Sequence, residues 1–249
     1  MTIGCRHAIT TIAILLVLSV APNARPGDVQ IPGIRSGITI GKALVLTDGQ
    51  VAEAANQACA FKDQATTIAP QGSAHAERLA RLTADYRTED GLQLDFKAYI
   101  VNELNAWAMP NGCVRVYSGL LDAFTDDEVL GVLGHEIGHV KLGHAKAKMR
   151  TALLARGARE SAAGTSVGAI AYSELGGFAE SVVNAQFSQK EERDADDYGF
   201  DFLVKHKHDP AAMVSMFRKM PGRKGSLLSS HPEPEARAQR IEARLKKRQ

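Results

Sequence analysis

Thr125-Asp126-Asp127-Glu128-Val129-Leu130-Gly131-Val132-Leu133-Gly134-His135-Glu136-Ile137-Gly138-His139 is the stretch from which the rest of the chain is read. Thr125 and Glu128 form a capping box: the threonine hydroxyl accepts from the Glu128 amide while the glutamate side chain reaches back. A helix therefore starts here. At ~100° per residue His135 and His139 fall about 40° apart and one turn from each other, so both imidazoles reach one ion. Glu136 lies between that face and its flank, within reach of a water activated by the ion without being a ligand. Two histidines and a glutamate at this spacing point to a hydrolytic zinc site with Glu136 as general base. Gly131, Gly134 and Gly138 make a stripe on the same helix although each costs about 1 kcal/mol relative to alanine. Either a neighbour packs closely on that face or the glycines bend the helix.

A hydrolytic zinc site takes three protein ligands and keeps one position open. On a continuing helix His144 points ~180° from His135, so it misses the ion. The metzincin spacing needs glycine at position 142 and histidine at 145; Leu142 and Ala145 exclude that class. The acidic run Ser188-Gln189-Lys190-Glu191-Glu192-Arg193-Asp194-Ala195-Asp196-Asp197 offers candidates. Glu192 and Asp196 share a helical face, so one can ligate while the other orients a histidine ring. Spacing alone does not choose Glu192 over Glu191, and a charged run of this kind is otherwise an ordinary solvated face.

Around this site the periodicity is mostly helical. Val51, Ala54, Ala55, Ala58 and Phe61 mark a helix from Thr47, and a second covers Ala74 to Arg87. Leu92, Leu94, Phe96, Ala98 and Ile100 alternate with Gln93, Asp95 and Lys97, the pattern of a strand. Ala106–Met109 and Cys113–Tyr117 flank Pro110-Asn111-Gly112, a turn whose glycine tolerates positive φ, so an antiparallel hairpin is expected. Residues 151–187 read as helical with breaks near Gly164 and Gly176-Gly177, and further helices are expected over 188–206, 210–220 and 232–247. The fold class is α+β, mostly α, with a small antiparallel sheet beside the zinc-binding helix.

The chain has 249 residues, 45% of them hydrophobic, enough for one sizeable core. Thirty lysines and arginines against 28 acidic residues give no global field to recruit nucleic acid. Arg6 and His7 precede an apolar run from Ala8 to Ala21, too short to span a bilayer, so residues 1–24 read as a signal peptide or signal anchor. No cysteine immediately follows that run, so no lipid-attachment site stands in the usual position. Residues 25–46 are a Gly- and Pro-rich linker or extended arm, and 47–249 form the metallopeptidase domain. An exported chain with Cys59 and Cys113 beyond the signal suggests a disulfide, the alternative being two buried thiols. The basic C-terminal residues Arg240, Arg244, Lys246, Lys247 and Arg248 fit a solvated helix end, or contact with anionic lipid.

Beyond the zinc motif extended through Gly143-His144, several segments carry a resemblance. They are Gln57-Ala58-Cys59, Asn105-Ala106-Trp107-Ala108-Met109, Asn111 through Leu120, Asn184-Ala185-Gln186-Phe187-Ser188-Gln189 and Ala195-Asp196-Asp197-Tyr198. Together they resemble the membrane-associated zinc endopeptidases of the HtpX, CAAX-endopeptidase and BepA family, and most of all its periplasmic members, over about Leu44 to Arg244. The resemblance implies a zincin-type (gluzincin) fold holding one Zn²⁺ per chain through His135, His139 and Glu192, with Asp196 behind the ligands. It implies that Asn105, Ala106, Trp107 and Ala108 border the cleft and bind substrate backbone as an added strand, and it supports a Cys59–Cys113 disulfide. A His-Pro followed by arginine, here His231-Pro232 and Arg237, places His231 near the zinc, either stabilising the tetrahedral intermediate or closing the open position as a latch. The expected function is hydrolysis of unfolded or misassembled envelope proteins in the bacterial periplasm, with peripheral association to membrane or assembly machinery. The alternative is a latched, metal-binding periplasmic chaperone or assembly factor with little proteolysis.

Overall fold

The computed structural model describes residues 47–162, 172–220, 230–231 and 233–248. The signal and arm expected over 1–46, and the break expected at Gly164, lie outside them. Helix α1 (Asp48–Ala65) starts at a Thr47 capping box, and α2 (Ala74–Leu82) is capped by Ser73. A short hairpin, β1 (Thr88–Glu89) and β2 (Leu92–Gln93), leads into β3 (Asp95–Tyr99). Then come β4 (Ala106–Ala108), β5 (Cys113–Tyr117) and α3 (Ser118–Ala123). Helix α4 (Asp126–Lys141) carries the histidine motif, and its Thr125–Glu128 capping box is formed as expected. It is followed by α5 (His144–Ala162), α6 (Tyr172–Val183), α7 (Gln189–Lys205), α8 (Ala212–Lys219) and α9 (Pro234–Lys246).

The sheet has the order β3-β5-β4. The hairpin β4–β5 is antiparallel, with Ala106 opposite Val116, and Gly112 in its turn takes φ 83°. A Cβ at Gly112 would meet the Gln93 carbonyl oxygen, so glycine is required there. The expectation of a wholly antiparallel sheet needs one correction: β3 lies parallel to β5, Asp95 opposite Cys113. The segment 100–105 carries the chain past β5, so β4 lies on its far side and β5 returns in the direction of β3. Helix boundaries also move. Helix α2 ends at Leu82, with only a 3-10 turn over Ala84–Tyr86, rather than at Arg87. Gly176 and Gly177 lie inside an unbroken α6, and the last helix starts at Pro234 rather than Pro232.

Two apolar clusters lie on opposite faces of the sheet. Leu94, Ala98, Ala106, Val114 and Val116 pack toward α2, α4, α7 and α8, while Tyr99, Trp107, Cys113 and Tyr117 pack toward α1, α5 and α6. The polar residues of β3 keep partial exposure, yet each reaches a charged partner within the protein. Asp63 of α1 accepts from Arg115 Nε (2.7 Å), Lys97 Nζ (2.6 Å) and the Tyr99 hydroxyl (2.7 Å). Arg115 also reaches Asp95 at 2.8 Å and Cys59 Sγ at 3.2 Å. Burial pushes the Asp63 carboxyl up, but these donors outweigh it and hold it at about 2. That stabilisation is present above the ordinary carboxylate value and is lost as pH falls toward 2. Cys59 and Cys113 bring their sulfurs to bonding distance beside this network.

The glycine stripe of α4 is a contact surface. A Cβ at Gly134 would lie 2.9 Å from Phe202 Cδ1 and 3.1 Å from Gly199 Cα, and one at Gly138 would lie 3.0 Å from Tyr198 Cβ. Gly199 answers from α7, where a Cβ would stand 3.0 Å from the His135 amide nitrogen. Helices α4 and α7 thus approach almost backbone to backbone.

Gly199→Ala is expected to destabilise the domain by about 1–3 kcal/mol, seen as a fall in melting temperature, because backbone on α4 must move. Gly177→Ala, where the added Cβ meets nothing, should leave the temperature unchanged or raise it. Replacing Cys59 and Cys113 together by serine should lower unfolding free energy in urea by about 2–4 kcal/mol if the bridge forms in solution.

Candidate metal centre

Thirteen consecutive residues of α4, Glu128 to Val140, are buried, so the motif helix is a central rod of the domain. Across the glycine contact, α7 presents Glu192 and Asp196 from its first two turns, and its Ser188–Glu191 capping box fixes where that helix begins. Glu191, the competing ligand candidate, is spent on the cap: its Oε2 accepts from the Ser188 amide at 2.8 Å. Glu192 is buried and turned inward.

One atom each from His135, His139, Glu192 and His231 converge within 4.8 Å, all four residues buried. His135 Nε2 lies 3.1 Å from His139 Nε2 and 3.2 Å from His231 Nδ1. Glu192 Oε1 lies 2.8 Å from His231 Nδ1 and 3.4 Å from His139 Nε2. Ligand atoms at ~2.0–2.1 Å around a tetrahedral zinc stand about 3.3 Å apart, so the spacing suits that ion. The tautomers agree. Asp196 Oδ1 lies 2.9 Å from His135 Nδ1, fixing the ring hydrogen there and leaving a lone pair on Nε2. Lone pairs of two imidazoles facing one another at 3.1 Å repel unless a cation stands between them. Burial lowers the basicity of His139 well below its ordinary value despite Glu192 beside it, which keeps the ring neutral.

Charge balance points the same way. Glu136, Glu192 and Asp196 are buried carboxylates, and Arg237 from α9 is the buried cation among them. Its Nη2 and Nε donate to Asp196 Oδ1 and Oδ2 at 2.5 and 3.0 Å, and its Nη1 lies 2.8 Å from Glu192 Oε2. Two negative charges remain, which a divalent cation neutralises. Burial pushes Asp196 up, but the Arg237 charge and the hydrogen bonds from His135 and Arg237 hold it below the usual carboxylate range. Glu136 Oε1 is buried and accepts no hydrogen bond from the described residues.

His144 departs from the expected geometry. Helix α4 does not continue: Leu142 caps it, Gly143 takes φ 79°, and α5 starts at His144. The reversal brings His144 Nδ1 to 3.1 Å from His139 Nδ1. His144 stands outside the convergent cluster, as expected, but it partners His139 from behind, as Asp196 partners His135. Phe187, ahead of α7, stacks on the His139 ring with centroids 3.7 Å apart and planes 18° apart. Arg237 and His144 are the site residues whose roles sequence reasoning missed; the Gly143 that turns the chain was the available signal for His144.

The remaining candidates fall around this cluster. His231 Nε2 is 3.4 Å from Glu136 Oε1, so His231 touches Glu192 through one nitrogen and faces Glu136 with the other. Strand β4 is an edge of the sheet and packs against α4. Asn105, Ala106 and Trp107 are buried and Ala108 is half-buried; the Asn105 carbonyl accepts from the Tyr117 amide at 3.0 Å. The C-terminal arginines are largely committed, since Arg240 pairs with Asp197 and Arg244 with Asp197 and Asp201. They bind α9 to α7.

Comparison with known proteins agrees with this geometry. The profile described as Peptidase family M48 matches residues 73–245. The chain is 42% identical to Metalloprotease LoiP of Escherichia coli over 219 residues, 85% of this chain and 87% of that protein. It is 39% identical to Metalloprotease YcaL of the same organism, covering 85% and 86% of the two. It is 30% identical over 166 residues to the Beta-barrel assembly-enhancing protease of Yersinia pestis, covering 59% of this chain and 34% of that one.

Asp196→Asn preserves shape but weakens the hold on the His135 tautomer. It should reduce zinc affinity by about 10–100-fold in a competition titration against a chromophoric chelator, with helicity retained in circular dichroism.

Proposed function

The chain belongs to peptidase family M48 and is a zinc metalloendopeptidase; from that premise we propose that it hydrolyses unfolded or misassembled envelope proteins, with Glu136 as general base. The observation that carries this reading is the convergence of His135, His139 and Glu192 on one point with the unengaged Glu136 Oε1 beside them. In the proposed arrangement these three residues hold the ion and Asp196, Arg237 and His144 orient them. Bound zinc supplies a Lewis acid that polarises the scissile carbonyl and eases deprotonation of water. Glu136 takes the proton as the water oxygen attacks, then delivers it to the leaving amine as the C–N bond breaks. The buried setting strengthens each of these interactions. The polypeptide lies as an added strand along the edge of β4 at Asn105, Ala106, Trp107 and Ala108, which reads backbone more than side chains.

The proposed setting is the bacterial periplasm. A signal over residues 1–24 directs export, residues 25–46 form an arm, and 47–249 form the catalytic domain. Neighbouring cysteine sulfurs at 59 and 113 favour an oxidising compartment. Among the described residues no helix is long and apolar enough to cross a membrane, which is compatible with peripheral association to the envelope or its assembly machinery.

His231 favours a second reading. Its Nδ1 stands 2.8 Å from Glu192 Oε1 and 3.2 Å from His135 Nε2, and in this reading it fills the position that a hydrolytic site keeps open. In this arrangement the protein is latched and acts as a metal-binding chaperone or assembly factor until the segment carrying His231 withdraws. Once withdrawn, the same imidazole is free to support the oxyanion of the tetrahedral intermediate.

Glu136→Gln should abolish cleavage of an unfolded protein while zinc stays bound stoichiometrically; retained cleavage would remove Glu136 from the mechanism. His231→Ala separates the two roles: a rise in turnover identifies the latch, whereas a loss of about 10²–10³-fold in kcat identifies oxyanion support.

A further inference from the structure

Helix α5 carries three cations within five residues, Lys146, Lys148 and Arg150. Lys146 and Arg150 are each paired with the Asp48 carboxylate, at 2.7 and 3.1 Å. Lys148 is not. Its Nζ lies 3.8 Å over the centre of the Phe187 ring, and among the described residues no carboxylate stands within ion-pair distance of it. One face of Phe187 is already covered by His139, so the ammonium occupies the other. The order outward from the metal cluster is ligand imidazole, aromatic ring, ammonium.

Half-burying an ammonium without a counter-charge is unfavourable, and a single aromatic face returns only part of its lost hydration. Burial pulls Lys148 down to about 8, and the carboxylates that oppose the shift, Glu136, Glu192 and Glu191, act on it only at a distance. An incompletely compensated cation beside the centre of a peptidase is placed to receive charge from outside. We propose that Lys148 is a specificity-determining residue that pairs with a carboxylate of the bound polypeptide near the scissile bond, with Phe187 as the spacer between that contact and the metal ligand His139. Two sources share this chemistry: an Asp or Glu side chain, and the free C-terminal carboxylate of a chain cut near its end. The inference rests on the proteolytic reading above.

The test uses the full chain loaded with zinc and matched fluorogenic peptides. One set exchanges Asp or Glu for Asn or Gln at each position within three residues of the cleaved bond; the other compares a C-terminal acid with its amide. The wild type should favour the carboxylate-bearing member by about tenfold in kcat/KM, the size of one charge-assisted hydrogen bond. Whichever set shows the preference identifies the source. Lys148→Gln should bring the ratio to about one, and Lys148→Glu should invert it. A second readout is independent of turnover: fluorescence anisotropy of the same peptides on Glu136→Gln protein, with and without Lys148→Gln. Preferential binding that Lys148→Gln removes, without cleavage by wild type, would uphold the carboxylate site and refute the proteolytic reading. A wild type with no preference in either readout overturns the proposal. So does a Lys148→Gln variant that weakens both members of each pair equally, because Lys148 would then only hold Phe187 in place.

Discussion

The structure depends on the close approach of α4 and α7. Gly134 and Gly138 on one helix and Gly199 and Ala195 on the other remove the side chains that would keep the two rods apart, while Gly131 leaves room for Met213 and Met216 of α8. Helices separated by larger residues pack at 8–10 Å between axes. At such a spacing the carboxylates of Glu192 and Asp196 would stand back from the imidazoles of His135 and His139. The helix-propensity penalty of the glycines is offset by the contact they permit, and the convergence of His135, His139 and Glu192 is a direct product of that contact.

A buried polar cluster stays in register only when every member is held. Asp196 joins α7 to His135 on α4 and to Arg237 on α9, and Arg237 extends the hold to Glu192. The guanidinium also lies over the Phe217 ring of α8 at 4.3 Å. Four helices therefore meet at one arginine, and the centre is preorganised by charges that are costly to separate. His144 and Phe187 add a fifth wall, ordering His139 from behind and from the side.

On the far side of the sheet Arg115 plays the corresponding part, drawing Asp63 and Asp95 together beside Cys59 and fastening α1 over β5. This second anchor shares no residue with the metal cluster. It keeps the sheet in place beneath α4, and β4, the proposed substrate edge, belongs to that sheet. Scaffold and centre are joined through β5, whose Val114 and Val116 face the motif helix while Arg115 faces α1.

The sequence by itself determined what is local. The Thr125 capping box, the one-turn spacing of His135 and His139, the positive φ of Gly112 and the helix-dominated class all follow from neighbours within a few residues, where backbone geometry is fixed by chemistry. The glycine stripe showed a close contact or a bend but not which. Tertiary structure decided what separates or joins distant segments: the parallel pairing of β3 with β5, the inward turn of Glu192 while Glu191 caps its helix, the reversal at Gly143 that returns His144 to His139, and the ion pair that carries Arg237 into the centre. Each is set by the relative placement of elements, a property of packing and buried charge summed over the whole domain, and no short window of sequence contains it.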